Sequence, residues 1–263
     1  MAHELGHAAL AKYDGDFRAV SEFRSDVCGS GYMHGIVEEK LRESSDPTAE
    51  VTTLCAPEQT QSCIHGIGHG AMFVTGLDIA KAENLCARFS SSGAATACSE
   101  GIYMQLFEPD ESDPSAMAKL PADRLAEEPL YPCPGRPAEF RSACYYYAPA
   151  YFLQRNNYAS DQTAYARGLA WCRNAPAEDS GMYTCTKGLG SRLMKYNIDR
   201  EVWSAEQCEA AAADQRRPCI EGMVSYYSVH HHSRNAVQKL CTKLSGRAET
   251  HCNEAAGYST SAD

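Results

Sequence analysis

The sequence predicts an all-α fold of disulfide-clamped helical hairpins, repeated into a curved α-solenoid or an α/α toroid. Three observations predict it: a cysteine rhythm, apolar residues three and four apart between the cysteines, and a glycine that typically follows each opening cysteine by three positions. The openings read Cys63-Ile-His-Gly, Cys98-Ser-Glu-Gly, Cys185-Thr-Lys-Gly and Cys219-Ile-Glu-Gly, with Cys144-Tyr-Tyr-Tyr and Cys252-Asn-Glu-Ala as degenerate copies, at successive separations of 35, 46, 41, 34 and 33 residues. A period of this length with two amphipathic segments per unit is the signature of stacked helical hairpins.

The elements follow in order. Aligned on the opening cysteine, the first unit starts at Met1 and the second at Tyr32, so neither carries that cysteine and Cys28 loses its natural partner. No targeting segment precedes the first helix, and Met1 reads as the start of a trimmed or processed chain. From there each closing cysteine meets the next opening one, which predicts Cys55–Cys63, Cys86–Cys98, Cys133–Cys144, Cys172–Cys185, Cys208–Cys219 and Cys241–Cys252. Of thirteen cysteines, Cys28 is left over, as a free thiol, a metal thiolate near His34 or a point of assembly between chains. Closing helices are predicted over 78–86, 162–172 and 233–241, with Asp78 and Ser233 as N-caps. The 46-residue step holds Glu108 to Pro114 and Pro129 to Pro137, whose prolines predict a surface excursion. The whole reads as one helical-repeat domain over 1–258, of about seven hairpins, with a flexible tail at 259–263.

Six disulfides place the chain in an extracytoplasmic compartment, periplasmic, secreted or cell-surface, because such bridges persist only where conditions are oxidising. The formal charge of −10 argues against nucleic acid or anionic lipid as partner, and no apolar run is long enough for a membrane span.

Segments such as Ala80-Lys-Ala-Glu-Asn-Leu-Cys86 followed by Cys98 and Gly101 resemble the Sel1-like, tetratricopeptide-related repeats, particularly their cysteine-rich secreted members. The resemblance covers most of the chain and implies hairpins clamped by a disulfide between successive helices. The chain departs from that family in lacking the Leu-Gly pair of its first helix and in its shorter cysteine spacing.

Nothing in that resemblance anticipates the histidines. Positions two and six beyond the opening cysteine form an i,i+4 pair on one helix face. In order they are His3 and His7, His34 and Glu38, His65 and His69, then Glu100 and Met104. Later units have Tyr146 and Ala150, Lys187 and Ser191, and Glu221 and Ser225. Imidazoles at this spacing chelate transition metals, and a repeat would bring neighbouring pairs together. The predicted ligands are therefore His3, His7, His34, Glu38, His65 and His69, and the ion zinc or copper. Mixed imidazole and carboxylate suits zinc, while Met104 and Cys28 keep copper open. Six ligands exceed the need of one ion, so there are two ions, or one ion with Glu4 or Glu38 left as an acid/base group. The bland alternative is that the His-Gly pairs serve packing alone.

His3-Glu4-Leu5-Gly6-His7 is similar to the HExxH motif of the zincin metallopeptidases. That resemblance implies His3 and His7 as zinc ligands and Glu4 as general base. Ala8 to Asp14 supply no metzincin extension, and no sheet precedes the motif.

Other candidates carry less. His230-His231-His232 reads as a solvated turn, Tyr145, Tyr146, Tyr147, Tyr151 and Phe152 as core or a sugar- or peptide-binding patch, and Glu100 with Glu221 as an acid/base pair. The sequence thus predicts a metal-binding repeat protein, with hydrolase or oxidase chemistry open to it. The competing class is a non-catalytic scaffold that binds a peptide, partner protein or glycan on its concave face.

Overall fold

A computed structural model of the chain describes residues 2–23, 31–56, 60–109, 120–176 and 180–257. Fifteen α-helices and no strand occur among them. Contacts divide the chain into two compact units, Met1–Leu120 and Pro121–Asp263. Cys28 and the 259–263 tail lie outside the described residues.

The first unit holds α1 (Ala2–Lys12), α2 (Phe17–Ser21), α3 (Gly31–Glu43), α4 (Pro47–Glu50), α5 (Gln61–Val74), α6 (Ile79–Cys86) and α7 (Ser92–Phe107). The opening helices α1, α3, α5 and α7 pack in succession, each against the next. Side chains start most of these helices. Asp16, Asp46, Thr60, Asp78 and Ser91 accept hydrogen bonds from backbone N–H groups three residues on, at 3.1–3.3 Å. Cys55–Cys63 and Cys86–Cys98 then tie each hairpin end to the next opening helix.

Glycine sets the spacing between α1 and α3. A Cβ on Gly35 would lie 2.1 Å from the His3 carbonyl oxygen, and one on Gly6 would lie 2.3 Å from that of Tyr32. The two backbones therefore touch, and only hydrogen fits between them. The α3–α5 interface is wider. At Gly66 the nearest atom is the Val37 side chain at 3.1 Å, so side chains fill this gap, and the histidines of both helices are among them.

The second unit holds α8 (Ala122–Glu127), α9 (Ala138–Arg155), α10 (Thr163–Cys172), α11 (Gly181–Tyr196), α12 (Glu201–Glu209), α13 (Ala213–His231), α14 (Arg234–Lys243) and α15 (Gly246–Ala255). Here α9, α11, α13 and α15 pack in succession. Four disulfides, Cys133–Cys144, Cys172–Cys185, Cys208–Cys219 and Cys241–Cys252, repeat the clamp. All six predicted pairs are thus formed, and Asp78 and Ser233 cap their helices as expected.

Two local expectations are corrected. The Pro129–Pro137 stretch is only partly a surface excursion: Leu130 and Cys133 are buried, because the Cys133 disulfide draws the segment inward through a 3-10 turn at Cys133–Gly135. The three histidines after Val229 do not form a turn. Helix α13 runs on through His231, and His232 ends it in the left-handed conformation (φ 47°), leaving all three side chains exposed.

Candidate metal centre

The centre belongs to the first unit and is built by four successive opening helices. Helix α3 contributes His34 and Glu38, and α5 contributes His65 and His69, each pair one turn apart and facing the wide interface. His34, His65 and His69 are 4, 9 and 2 % exposed, and Glu38 is 2 % exposed. One donor atom from each of the three histidines lies within 4.8 Å of the others.

Helix α1 closes the cluster from one side. His3 Nδ1 stands 3.2 Å from Glu38 Oε1, and His7 Nε2 stands 3.0 Å from Glu38 Oε2. The other nitrogen of His7 faces Glu39 Oε2 at 3.2 Å, so both of its ring nitrogens are engaged by carboxylates. The His3 ring lies edge-on to His34 and His69, with centroids 5.4 and 5.6 Å apart. All six predicted ligands are therefore brought together, in two layers: three buried imidazoles, and behind them Glu38 held between His3 and His7. Glu4, the general base implied by the HExxH resemblance, is exposed on α1.

The fourth helix joins through a residue the alignment did not single out. Gln105, one position past Met104, is buried and places its Oε1 2.8 Å from His69 Nδ1. An amide oxygen only accepts, so a hydrogen bond between these two atoms is donated by Nδ1. Nε2 of His69 and Nδ1 of His34 are buried with no hydrogen-bond partner among the described residues. A buried polar atom left so costs about 1–3 kcal/mol, and a bound group would relieve it.

Burial, followed by the charges of His65, His69 and His3, pushes His34 well below its ordinary range. Burial does the same for His65, helped by His69 and His3 and opposed by Glu38. His69 is also lowered, chiefly by burial, although Glu38 and Gln105 pull the other way. All three are neutral at neutral pH, which is the form that binds metal. For Glu38, burial favours the acid, but hydrogen bonds from His3 and His7 and the charges of His69 and His3 outweigh it and hold the carboxyl down at about 2. The centre thus combines neutral nitrogen donors with one fixed negative charge behind them.

The donor set suits a transition ion once its nitrogens, now within 4.8 Å of one another, converge. Nitrogens on a tetrahedral zinc are separated by about 3.4 Å, given zinc–nitrogen bonds of about 2.05 Å. The rings now stack, with His34 at 24° to His65 and 23° to His69. Ligation needs each lone pair aimed at one point, so the rings must turn about χ2.

In the second unit the equivalent positions do other work. Ala150 and Ser191 are buried in packing, and Arg192 lies over the Tyr146 and Tyr147 rings at 5.1 and 4.5 Å. Of the aromatic patch, Tyr145 and Tyr147 are buried, while Tyr146, Tyr151 and Phe152 are half-buried. Glu221 is held by Tyr183 and by Arg217 at 3.0 Å.

No protein-family model matches the chain, and neither a curated protein nor a solved structure matches it significantly.

Proposed function

We propose that this protein is an extracytoplasmic metal-binding helical-repeat protein that holds a transition-metal ion through His34, His65 and His69. The observation that carries this reading is a buried cluster of three neutral imidazoles in which two ring nitrogens have no hydrogen-bond partner among the described residues. The compartment is inferred from six disulfides, together with the finding that no helix among the described residues is long and apolar enough to cross a membrane.

Nitrogen donors favour zinc or copper over calcium or magnesium, which take oxygen. Three protein ligands leave a tetrahedral position open to an outside ligand, the arrangement that metal-dependent hydrolases and oxidases use. The burial of Glu38, 3.5 Å from His69 Nδ1, supports it, rather than the exposed Glu4, as the carboxylate of such chemistry. The hairpin-and-disulfide plan supports reading the scaffold as Sel1-like.

Elemental analysis tests the reading. Protein purified without chelators or affinity metals should carry zinc or copper close to one equivalent. Replacing His65 and His69 together with Ala should abolish it, while replacing exposed His230, His231 and His232 should not. Metal-free protein with an unchanged melting temperature and a bound peptide or glycan would instead favour the non-catalytic scaffold.

A further inference from the structure

The geometry points to Gln105 as the positioning residue of the centre: its side-chain oxygen fixes His69 as the Nδ1–H tautomer and so makes Nε2 the metal-ligating atom. This rests on the metal reading above and deepens it.

Three observations carry the assignment. Gln105 Oε1 lies 2.8 Å from His69 Nδ1, within hydrogen-bond distance, and both side chains are buried. Glu38 Oε1 approaches the same nitrogen at 3.5 Å, so a second acceptor stands on that side of the ring and none of the contacts there can donate. The opposite nitrogen, Nε2, is buried with no partner among the described residues. An imidazole whose one nitrogen is held by an acceptor presents the other as a lone pair, with its basicity raised by the hydrogen bond behind it. Glu38 in turn is held by His3 and His7. The chain of support runs from α1 through Glu38, and from α7 through Gln105, to a single ring nitrogen on α5.

The assignment separates Gln105 from a residue that merely fills space. Leu matches its bulk but cannot accept a hydrogen bond, whereas Glu retains an acceptor at the same position. Long-range proton–nitrogen NMR of the full chain, stripped of metal and labelled at histidine, reads each ring's tautomer directly. In the wild-type chain His69 should show a protonated Nδ1. Q105L should shift His69 toward the other tautomer or a mixture, and Q105E should restore the wild-type pattern. Titration with zinc alone should show affinity falling about 10–100-fold in Q105L and recovering in Q105E. A His69 protonated at Nε2 in the wild-type chain overturns the assignment, as does a Q105L protein with wild-type tautomer and zinc affinity. Should the tautomer prove as stated while the wild-type chain takes up no metal, the metal reading falls and the ligand role of Nε2 falls with it. If Q105L does not fold, Q105E decides alone: a wild-type tautomer supports the assignment and a reversed one sinks it.

Discussion

The two units share one plan and secure it differently. Among the described residues the first unit has five side-chain N-caps and two disulfides, whereas the second has one such cap, Ser233, and four disulfides. Both use the same close contact between opening helices. A Cβ on Gly101 would sit 1.9 Å from the His65 carbonyl oxygen, and one on Gly222 would sit 1.9 Å from that of Lys187. The difference lies at the two inner positions of each opening helix. In the first unit they carry His and Glu on α1, α3 and α5, with Glu100 and Met104 on α7; in the second they carry Tyr146, Ala150, Lys187, Ser191, Glu221 and Ser225, among which Ala150 and Ser191 are buried and Glu221 is paired with Arg217. The same helical plan therefore accommodates different residues at its inner positions.

Reduction should separate the units most sharply. Each bridge spans 8–13 residues, worth about 3 kcal/mol by the loop-entropy relation. The second unit then stands to lose about 12 kcal/mol and the first about 6, against typical domain stabilities of 5–15. Amide hydrogen exchange of oxidised and reduced protein, resolved by segment, should show the greater loss of protection in 121–257. Equal loss in both would mean the caps contribute less than supposed.

Acid should act in the opposite sense and on the first unit. His34, His65 and His69 are held below their ordinary value of 6.5, so below that pH the unfolded chain takes up protons that the folded chain refuses. Their contribution is whole above about 6.5 and fades as pH falls below it. Glu38, at about 2 when folded against 4.5 otherwise, adds stability that is whole above 4.5 and is lost as pH falls toward 2, on the order of 3 kcal/mol. Metal-free protein followed by urea unfolding should lose protection in 2–109 on going from pH 7.5 to 4, ahead of the second unit. Parallel loss would show that the buried histidines have partners enough when protonated.

Glycine substitutions sharpen the likeness rather than the contrast. Gly101→Ala and Gly222→Ala each force a methyl group into a facing backbone, so each should cost about 3 kcal/mol in chemical denaturation. Only Gly101→Ala should also weaken metal binding, since it displaces α7 and Gln105 from His69. A Gly222→Ala variant with impaired metal uptake would break the separation of scaffold from centre.

Much of this was legible in the chain. The six disulfides follow from order along the sequence, because each closing cysteine has one opening cysteine within reach and the next lies a whole hairpin away. Asp78 and Ser233 announce their helices because capping is a contact between residues three apart. The pairing of His65 with His69 on one face follows from helical periodicity. Each of these is a local relation, and local relations survive in a one-dimensional string.

What the tertiary structure alone decided is where those faces meet. Backbone contact at Gly6 and Gly35 brings α1 and α3 so close that His3 and His7 converge on Glu38, while the wider α3–α5 gap gives His34, His65 and His69 a shared, water-poor space. The register also brings Gln105 to His69 where the alignment offered Glu100 and Met104. A repeat alignment ranks positions by number, but the partner of a buried ring nitrogen is set by the offset and rotation of two helices, and a shift of one residue turns a side chain by about 100°.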